Sequence, residues 1–414
     1  MPGKKLAIFS WALYDFANTI FSMNIISTYF PLWVTIDQGG TDILYSLVLS
    51  GSMFLASLSS PILGAISDQW ERRMPFLLIW TLICVAATAS ISLANHLYWG
   101  LVMFVVANYC YQTGLVFYNG LLPMVSAGTS VGRVSGYGVA MGYVGAILGL
   151  KLVEPFVQAS GRSACFVPTA LLFLVFSMPC FLVIKEPRSP SSKSRTDMEK
   201  IVKPAFSAII QTIKEARAYR GMWIFLLATF IYLDVVHTVI AFMGIYAKKV
   251  MSFSDSQLVN FLIVSTIFAA VGSYLLGIVT TKLGPKKALS LTLWIWAGAM
   301  SLALLSQGGR SFWLVGPLAG IGMGGVWVAG RTMVVELAPA EKVGEFFGLY
   351  GLCGKLSSIV GPLIWGITVE SFYWLDTQKY RLAIFVLLLF LLAGLMLLRQ
   401  VPATASQMGA GLKK

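Results

Sequence analysis

Charge is scarce in this chain. Of 414 residues, 11% are Asp, Glu, Lys or Arg, against 57% hydrophobic, and mean hydropathy is +0.79. That balance excludes an ordinary soluble protein of this length and fits a polytopic membrane protein. Histidine occurs twice and cysteine five times. Cys84, Cys110, Cys165, Cys180 and Cys353 follow no regular spacing, so neither a disulfide framework nor a metal cluster is expected; only Cys165 is expected near a surface. No G-x-x-x-x-G-K-[ST], H-E-x-x-H or G-x-S-x-G pattern occurs, which argues against an ATP-driven pump of that type and against the common hydrolases. The chain is therefore not expected to be an enzyme: no catalytic residue, cofactor or metal is assigned. The basic Met1–Lys5 segment has no small-residue cleavage site after it, so no cleavable leader is expected.

Long apolar runs, in contrast, are abundant. Twelve reach bilayer length, which takes ~20 residues. They are Trp11–Val34, Ile43–Ile66, Pro75–Leu93, Gly100–Leu121, Val134–Val153, Ala164–Ile184, Met222–Ala247, Leu258–Val279, Ala288–Leu305, Phe312–Gly330, Phe346–Val369 and Leu382–Leu398. The expected organisation is a six-helix bundle over 1–184, a linker over 185–221, a second six-helix bundle over 222–400 and a tail over 401–414. The net charge of +13 is mainly a topology signal. With the N-terminus inside, 22 Lys and Arg fall in inner segments and 7 in outer ones. The positive-inside rule then places both termini in the cytoplasm. No nucleic-acid partner is expected from this charge. Within the linker, Glu186-Pro187-Arg188-Ser189-Pro190-Ser191-Ser192 reads as flexible, and Phe206, Ile209, Ile210 and Ile213 as the apolar stripe of a helix on the membrane surface.

The two halves repeat each other. Gly132-Arg133-Val134-Ser135-Gly136 returns as Gly344-Glu345-Phe346-Phe347-Gly348, and Gly142 and Gly149 return as Gly354 and Gly361, all 212 residues on. Gly64-Ala65-Ile66-Ser67-Asp68 corresponds to Gly277-Ile278-Val279-Thr280-Thr281 at an offset of 213. Asp15-Phe16-Ala17-Asn18-Thr19 corresponds to Asp234-Val235-Val236-His237-Thr238 at 219. Duplicated halves with a midplane solute site are a common construction of secondary transporters.

Ionisable groups inside spans are costly and mark candidate function. Asp15, Asn18, Thr19 and Ser22 share one face of the first span, since each helical residue turns ~100°. Asp15 and Asp234 read either as polar glue or as protonatable or solute-binding groups, and His237 stands one turn from Asp234 as a pH-sensitive neighbour. On the fourth span Asn108, Gln112 and Asn119 share a face that either lines a cavity or bonds neighbouring helices. Lys355 is the cation deepest within a span and can pair with Asp15 or Asp234 or receive an anionic solute group. Arg331 is placed to pair with Glu336 or Glu345. Gly136, Gly138, Gly142, Gly145 and Gly149 form a small-residue stripe, read as packing against the opposite half.

Gly64-x-x-x-Asp68-Gln69-Trp70-Glu71-Arg72-Arg73 resembles the signature loop of the major facilitator superfamily, with Gln69 and Glu71 departing from it. This loop reads as a gate in which Gly64 permits close helix approach, with Asp68, Arg72, Arg73, Arg133, Arg331 and Glu345 as further gating positions. More specifically, Trp11-Ala12-Leu13-Tyr14-Asp15-Phe16-Ala17-Asn18, Tyr118-Asn119-Gly120-Leu121-Leu122-Pro123, and Glu345-Phe346-Phe347-Gly348-Leu349-Tyr350 with Gly354-Lys355 and Gly361-Pro362 resemble the vacuole-effluxer-like branch of that superfamily. On the seventh span Tyr232, Asp234 and Thr238 match its pattern; Val235 replaces a glycine and His237 is additional. The resemblance implies an all-α membrane fold of twelve transmembrane helices in two pseudo-symmetric bundles. It implies secondary active transport of a small polar solute, amino acids first; the duplicated halves imply alternating access, and the carboxylates within spans make proton coupling through Asp15 or Asp234 a further expectation. The expected partners are that solute, protons and membrane lipids, and the chain is expected as a monomer in a bacterial inner (plasma) membrane. Organic anions or sugars remain alternatives, as does a non-transporting membrane receptor or scaffold.

Overall fold

The computed structural model describes residues 3–70, 72–93, 96–127, 131–186, 219–339 and 342–402, with scattered positions between 207 and 217. Among these residues there is no strand, and twelve helices are long and apolar enough to cross a membrane. They are α1 (Lys4–Asp37), α2 (Asp42–Gln69), α3 (Met74–Ile91), α4 (Leu97–Gly120), α5 (Val131–Ser160), α6 (Phe166–Val183), α7 (Arg220–Lys249), α8 (Asp255–Leu283), α9 (Pro285–Leu305), α10 (Val315–Leu337), α11 (Val343–Ser371) and α12 (Gln378–Gln400). Most run past the apolar stretches read from sequence, because helix geometry continues into polar residues at the ends. Arg331 and Glu336 thus lie on α10 and not in a loop.

The chain divides into two compact units, Met1–Phe206 and Ser207–Lys414, with six of these helices each. In the first unit α1 packs on α5 and α6, α4 on α2 and α3, and α3 on α6. In the second, α7 packs on α11 and α12, α10 on α8 and α9, and α9 on α12. The internal packing therefore repeats along with the sequence.

Between apolar helices in lipid there is little hydrophobic drive, so close backbone approach matters more. The glycine stripe of α5 supplies it inside the first unit. A Cβ on Gly145 would sit within 2.3 Å of the Phe16 carbonyl oxygen, and one on Gly149 within 2.9 Å of Ile20. Gly138, Gly142, Gly145 and Gly149 of the stripe thus face α1 of their own unit. In the second unit α10 also approaches closely, a Cβ at Gly320 or Gly324 meeting backbone oxygens of α8 at 2.2 Å and 2.3 Å. Gly64 is different: an added Cβ would meet only Val116 of α4, at 3.6 Å, so the position does not require glycine.

Helix α1 is not regular throughout. It widens into π-helical turns over Ser22–Tyr29 and Trp33–Asp37, on either side of Pro31. Pro31 has no N–H to give, and local rewinding is the usual accommodation. Cys165 is buried and Cys353 is the most accessible of five free thiols, the reverse of the sequence expectation, because Cys165 ends a short 3-10 turn that leads into α6 and packs on α5. The proposed surface helix of the linker includes Phe206 and Ile209, which lie outside the described residues.

Candidate functional site: two intramembrane carboxylates aimed at glycines

On α1, Asp15 sits half-buried beside fully buried Asn18. The Asn18 side-chain amide donates to Asp15 Oδ1 at 3.2 Å, and the Thr19 hydroxyl donates to the Asp15 carbonyl at 2.8 Å. Asp15 Oδ2 lies 3.0 Å from where a Cβ on Gly138 would be, and Thr19 Oγ1 3.0 Å from that of Gly142. The polar face read from sequence therefore exists, and it presses on the glycine stripe of α5.

On α7, Asp234 and Thr238 occupy the corresponding places against α11. A Cβ at Gly361 would meet Thr238 Oγ1 and, at 2.8 Å, Asp234 Oδ2. The contact partner of Thr19 is Gly142 and that of Thr238 is Gly361, which are 219 residues apart. Sequence matching had paired Gly142 with Gly354. The seven-residue difference is about two helical turns, so the same helix face is kept while the contact shifts along it.

Asp234 and His237 do not form a pair with each other. Asp234 Oδ1 accepts the backbone N–H of Gly361 at 2.7 Å, while His237 Nδ1 bonds the Ser358 hydroxyl at 2.7 Å, with Ser357 at 3.4 Å. Both side chains are thus committed to α11. His237 also lies 5.9 Å, ring to ring, from Trp327 of α10. The reason is a break in α11: Ser358 has φ −84° and ψ 15°, and Pro362 stands four residues later. Proline removes its own hydrogen bond and its ring crowds the carbonyl four residues back, which is that of Ser358. Lys355 lies one turn before the break and is half-buried. The Asp234 carboxylate is taken by Gly361 and not by Lys355.

On α4, Asn108 is fully buried and donates to Ser52 Oγ of α2 at 2.7 Å, so it serves as interhelical glue. Its Oδ1 has no hydrogen-bond partner. Gln112 is half-buried and Asn119 exposed near the helix end, so the three amides of one face have three environments. A contact that sequence reading did not anticipate ties the family-like stretches together: the Trp11 indole N–H donates to the Tyr118 carbonyl, the Tyr118 hydroxyl donates to the Trp11 carbonyl, both at 3.2 Å, and their rings stack at 4.6 Å. Between α2 and α4 lies an open groove of about 560 Å³ lined by Leu55, Leu58, Ile62, Val105 and Tyr109. Its walls are almost wholly apolar, so it offers little to orient a polar solute.

The gating positions divide similarly. Arg72 and Arg133 are exposed, and the Arg73 side chain lies over Gly120 at the end of α4. The side chains of Asp68 and Gln69, and the whole of Glu71, lie outside the described residues. Glu186, which sequence reading had placed in a flexible linker, accepts the N–H groups of Arg73 and Met74 at 2.8–2.9 Å. A carboxylate there satisfies orphan donors at the start of α3 and meets the positive end of its dipole. In the second unit Lys286 instead donates to the carbonyls of Arg399 and Val401 at the end of α12. Arg331 makes no ion pair with Glu336 or Glu345; Arg331 and Glu345 are both exposed on their separate helices. Glu345 lies in the first turn of α11, where a negative charge is favourable.

These features define a helical integral membrane protein, and comparison with known proteins gives its class as a transporter of the major facilitator type. The chain belongs to the family described as "Vacuole effluxer Atg22 like", whose model matches residues 43–410. An uncharacterised MFS-type transporter of Bacillus subtilis, YxiO, is 27% identical, with 96% of this chain and 95% of the relative covered. Autophagy-related protein 22 of Candida glabrata is 25% identical over 93% of this chain and 87% of its own length. Among solved structures, a bacterial homologue of the human lysosomal transporter Spinster, inward-facing and occupied, has a TM-score of 0.79 at 15% identity, covering 99% and 98% of the two chains. A variant of the nucleoside transporter NupG has a TM-score of 0.78 at 12% identity, covering 95% and 99%. These two show the fold alone.

Proposed function

We propose that this transporter carries a small polar solute, amino acids first, by alternating access of its two six-helix units. The observation that carries the reading is the polar cluster inside α1, where Asp15, Asn18 and Thr19 form a hydrogen-bonded face in a membrane-spanning helix. Amino acids are put first on the resemblance of the Trp11–Asn18 and Glu345–Pro362 stretches to vacuole-effluxer-like transporters. Asp15, Asn18, Gln112 and Asn119 of the first unit offer a carboxylate with amide donors and acceptors, and Lys355 of the second unit is a further candidate solute contact. Proton coupling is assigned to Asp15, with Asp234 kept as the acceptor of the Gly361 N–H. His237 supports α11 through Ser358. Asp68, Arg72, Arg73, Arg133, Arg331 and Glu345 act as gating positions on the cytoplasmic side, with both termini, the 185–221 linker and the 401–414 tail in the cytoplasm of a bacterial cell. The protein acts as a monomer.

A carrier of organic anions is the second reading, with Lys355, a half-buried cation within a span, as the group that receives a solute carboxylate. A ligand thermal-shift screen of purified protein with amino acids, organic acids, sugars and nucleosides tests both. Stabilisation by amino acids supports the first reading. Stabilisation by dicarboxylates alone supports the second, and no response to any solute class argues for a receptor or scaffold.

A further inference from the structure

The break in α11 leaves backbone groups that lipid cannot satisfy. In a membrane interior each unsatisfied N–H is expensive, so a broken helix persists only where neighbouring groups take up the freed donors. Pro362 has no N–H, and the turn before it is opened at Ser358. The N–H of Gly361 is met by Asp234 Oδ1 from α7 at 2.7 Å, and the hydroxyl of Ser358 by His237 Nδ1 at 2.7 Å. Gly361 lacks the Cβ that Thr238 and Asp234 would otherwise strike. In the first unit α5 has no proline near the matching contact, and Asp15 turns to Asn18 instead. The two carboxylates that sequence equates therefore do different work.

We propose that Asp234 is a positioning residue: its carboxylate caps the second half of α11 across the helix–helix contact and holds the break open at Ser358. That break sets the direction in which Lys355, one turn before it, is presented. Asp234 is then needed as a hydrogen-bond acceptor and not as a group that gains or loses a proton. The functional consequence rests on the transport reading above; the cap itself does not.

The acceptor and the charge can be separated. Asp234→Asn keeps an oxygen aimed at Gly361 without the charge, whereas Asp234→Leu keeps the bulk and loses the acceptor. Backbone amide exchange at Gly361, measured on purified full-length protein, should stay near the unsubstituted rate in D234N. In D234L it should rise by ~10-fold or more, the scale of losing a hydrogen bond to a charged group. Transport should follow the same order, with D234N retained and D234L lost. If D234L does not fold, the D234L/P362A double variant supplies the check. Pro362→Ala restores the missing N–H and closes the helix, so the double variant should fold with Gly361 protected. Unchanged Gly361 exchange in D234L would overturn the cap. Loss of transport in D234N with Gly361 still protected would show that the charge itself is required, and would also overturn the proposal. The exchange measurement stands even if no solute is found.

Discussion

Trp11 and Tyr118 hold each other twice: each donates from its side chain to the other's backbone carbonyl at 3.2 Å, and their rings lie 8° from parallel. Helices α1 and α4 are thereby fastened at the end of the first unit that carries Arg72 and Arg73. Tyr118→Phe removes one of the two bonds and keeps the stack. It should cost about 1 kcal/mol. Trp11→Phe should cost more, because the indole N–H and part of the stack are lost together. A double-mutant cycle on thermal unfolding should give a non-additive coupling of at least ~0.5 kcal/mol. Additive effects would mean the two contacts act separately.

Glycine substitutions distinguish close approach from mere smallness. Gly145→Ala puts a methyl group against the Phe16 backbone, which cannot move as a side-chain end can. A destabilisation on the order of 2 kcal/mol or more is expected, as for an overpacked core. Gly136→Ala, with nothing within 4 Å of the added carbon, should be neutral or slightly stabilising. Retention of monodisperse protein and its unfolding temperature read both.

Glu186→Ala should free the start of α3. Loss of such a cap costs about 1 kcal/mol. Amide exchange at Arg73 and Met74 should quicken while exchange in the middle of α3 stays unchanged. Glu186→Gln retains an acceptor and should fall between the two.

Lys286 and Arg381 brace α9 and α12 at opposite ends. Lys286 donates to carbonyls at the end of α12, and Arg381 to those of Leu304 and Ser306 at the end of α9. Replacing either by Met removes a cation from a helix C-terminus, with an expected loss of ~0.3–1 kcal/mol that shrinks as salt is raised. A salt-independent loss would point to packing of the side-chain stems instead.

Much of this architecture is legible in sequence, because hydropathy reports spans directly and a duplicated motif reports which spans are equivalent. Asp15 and Asn18 were visible as a polar face for the same reason. What escaped depends on contacts between distant helices. Asp234 next to His237 looks like a titrating pair; only the Pro362-driven opening of α11 shows that the two reach for different atoms. The proline four residues after Ser358 was the available signal. Glu186 looked like linker because its partner is backbone N–H, which sequence pattern does not mark. Asn108 looked equivalent to Gln112, and only packing places it on Ser52.

The central claim is that intramembrane charge on α1 and α11 serves amino-acid transport. The most direct test is uptake of labelled amino acids into proteoliposomes, with and without an imposed pH gradient, for the unsubstituted protein and for Asp15→Asn and Lys355→Ala. Uptake that the gradient drives, that loses its gradient dependence in D15N and that falls at least ~10-fold in K355A is the expected result. Equal uptake by all three proteins, or none above that of empty vesicles for any amino acid, would contradict it.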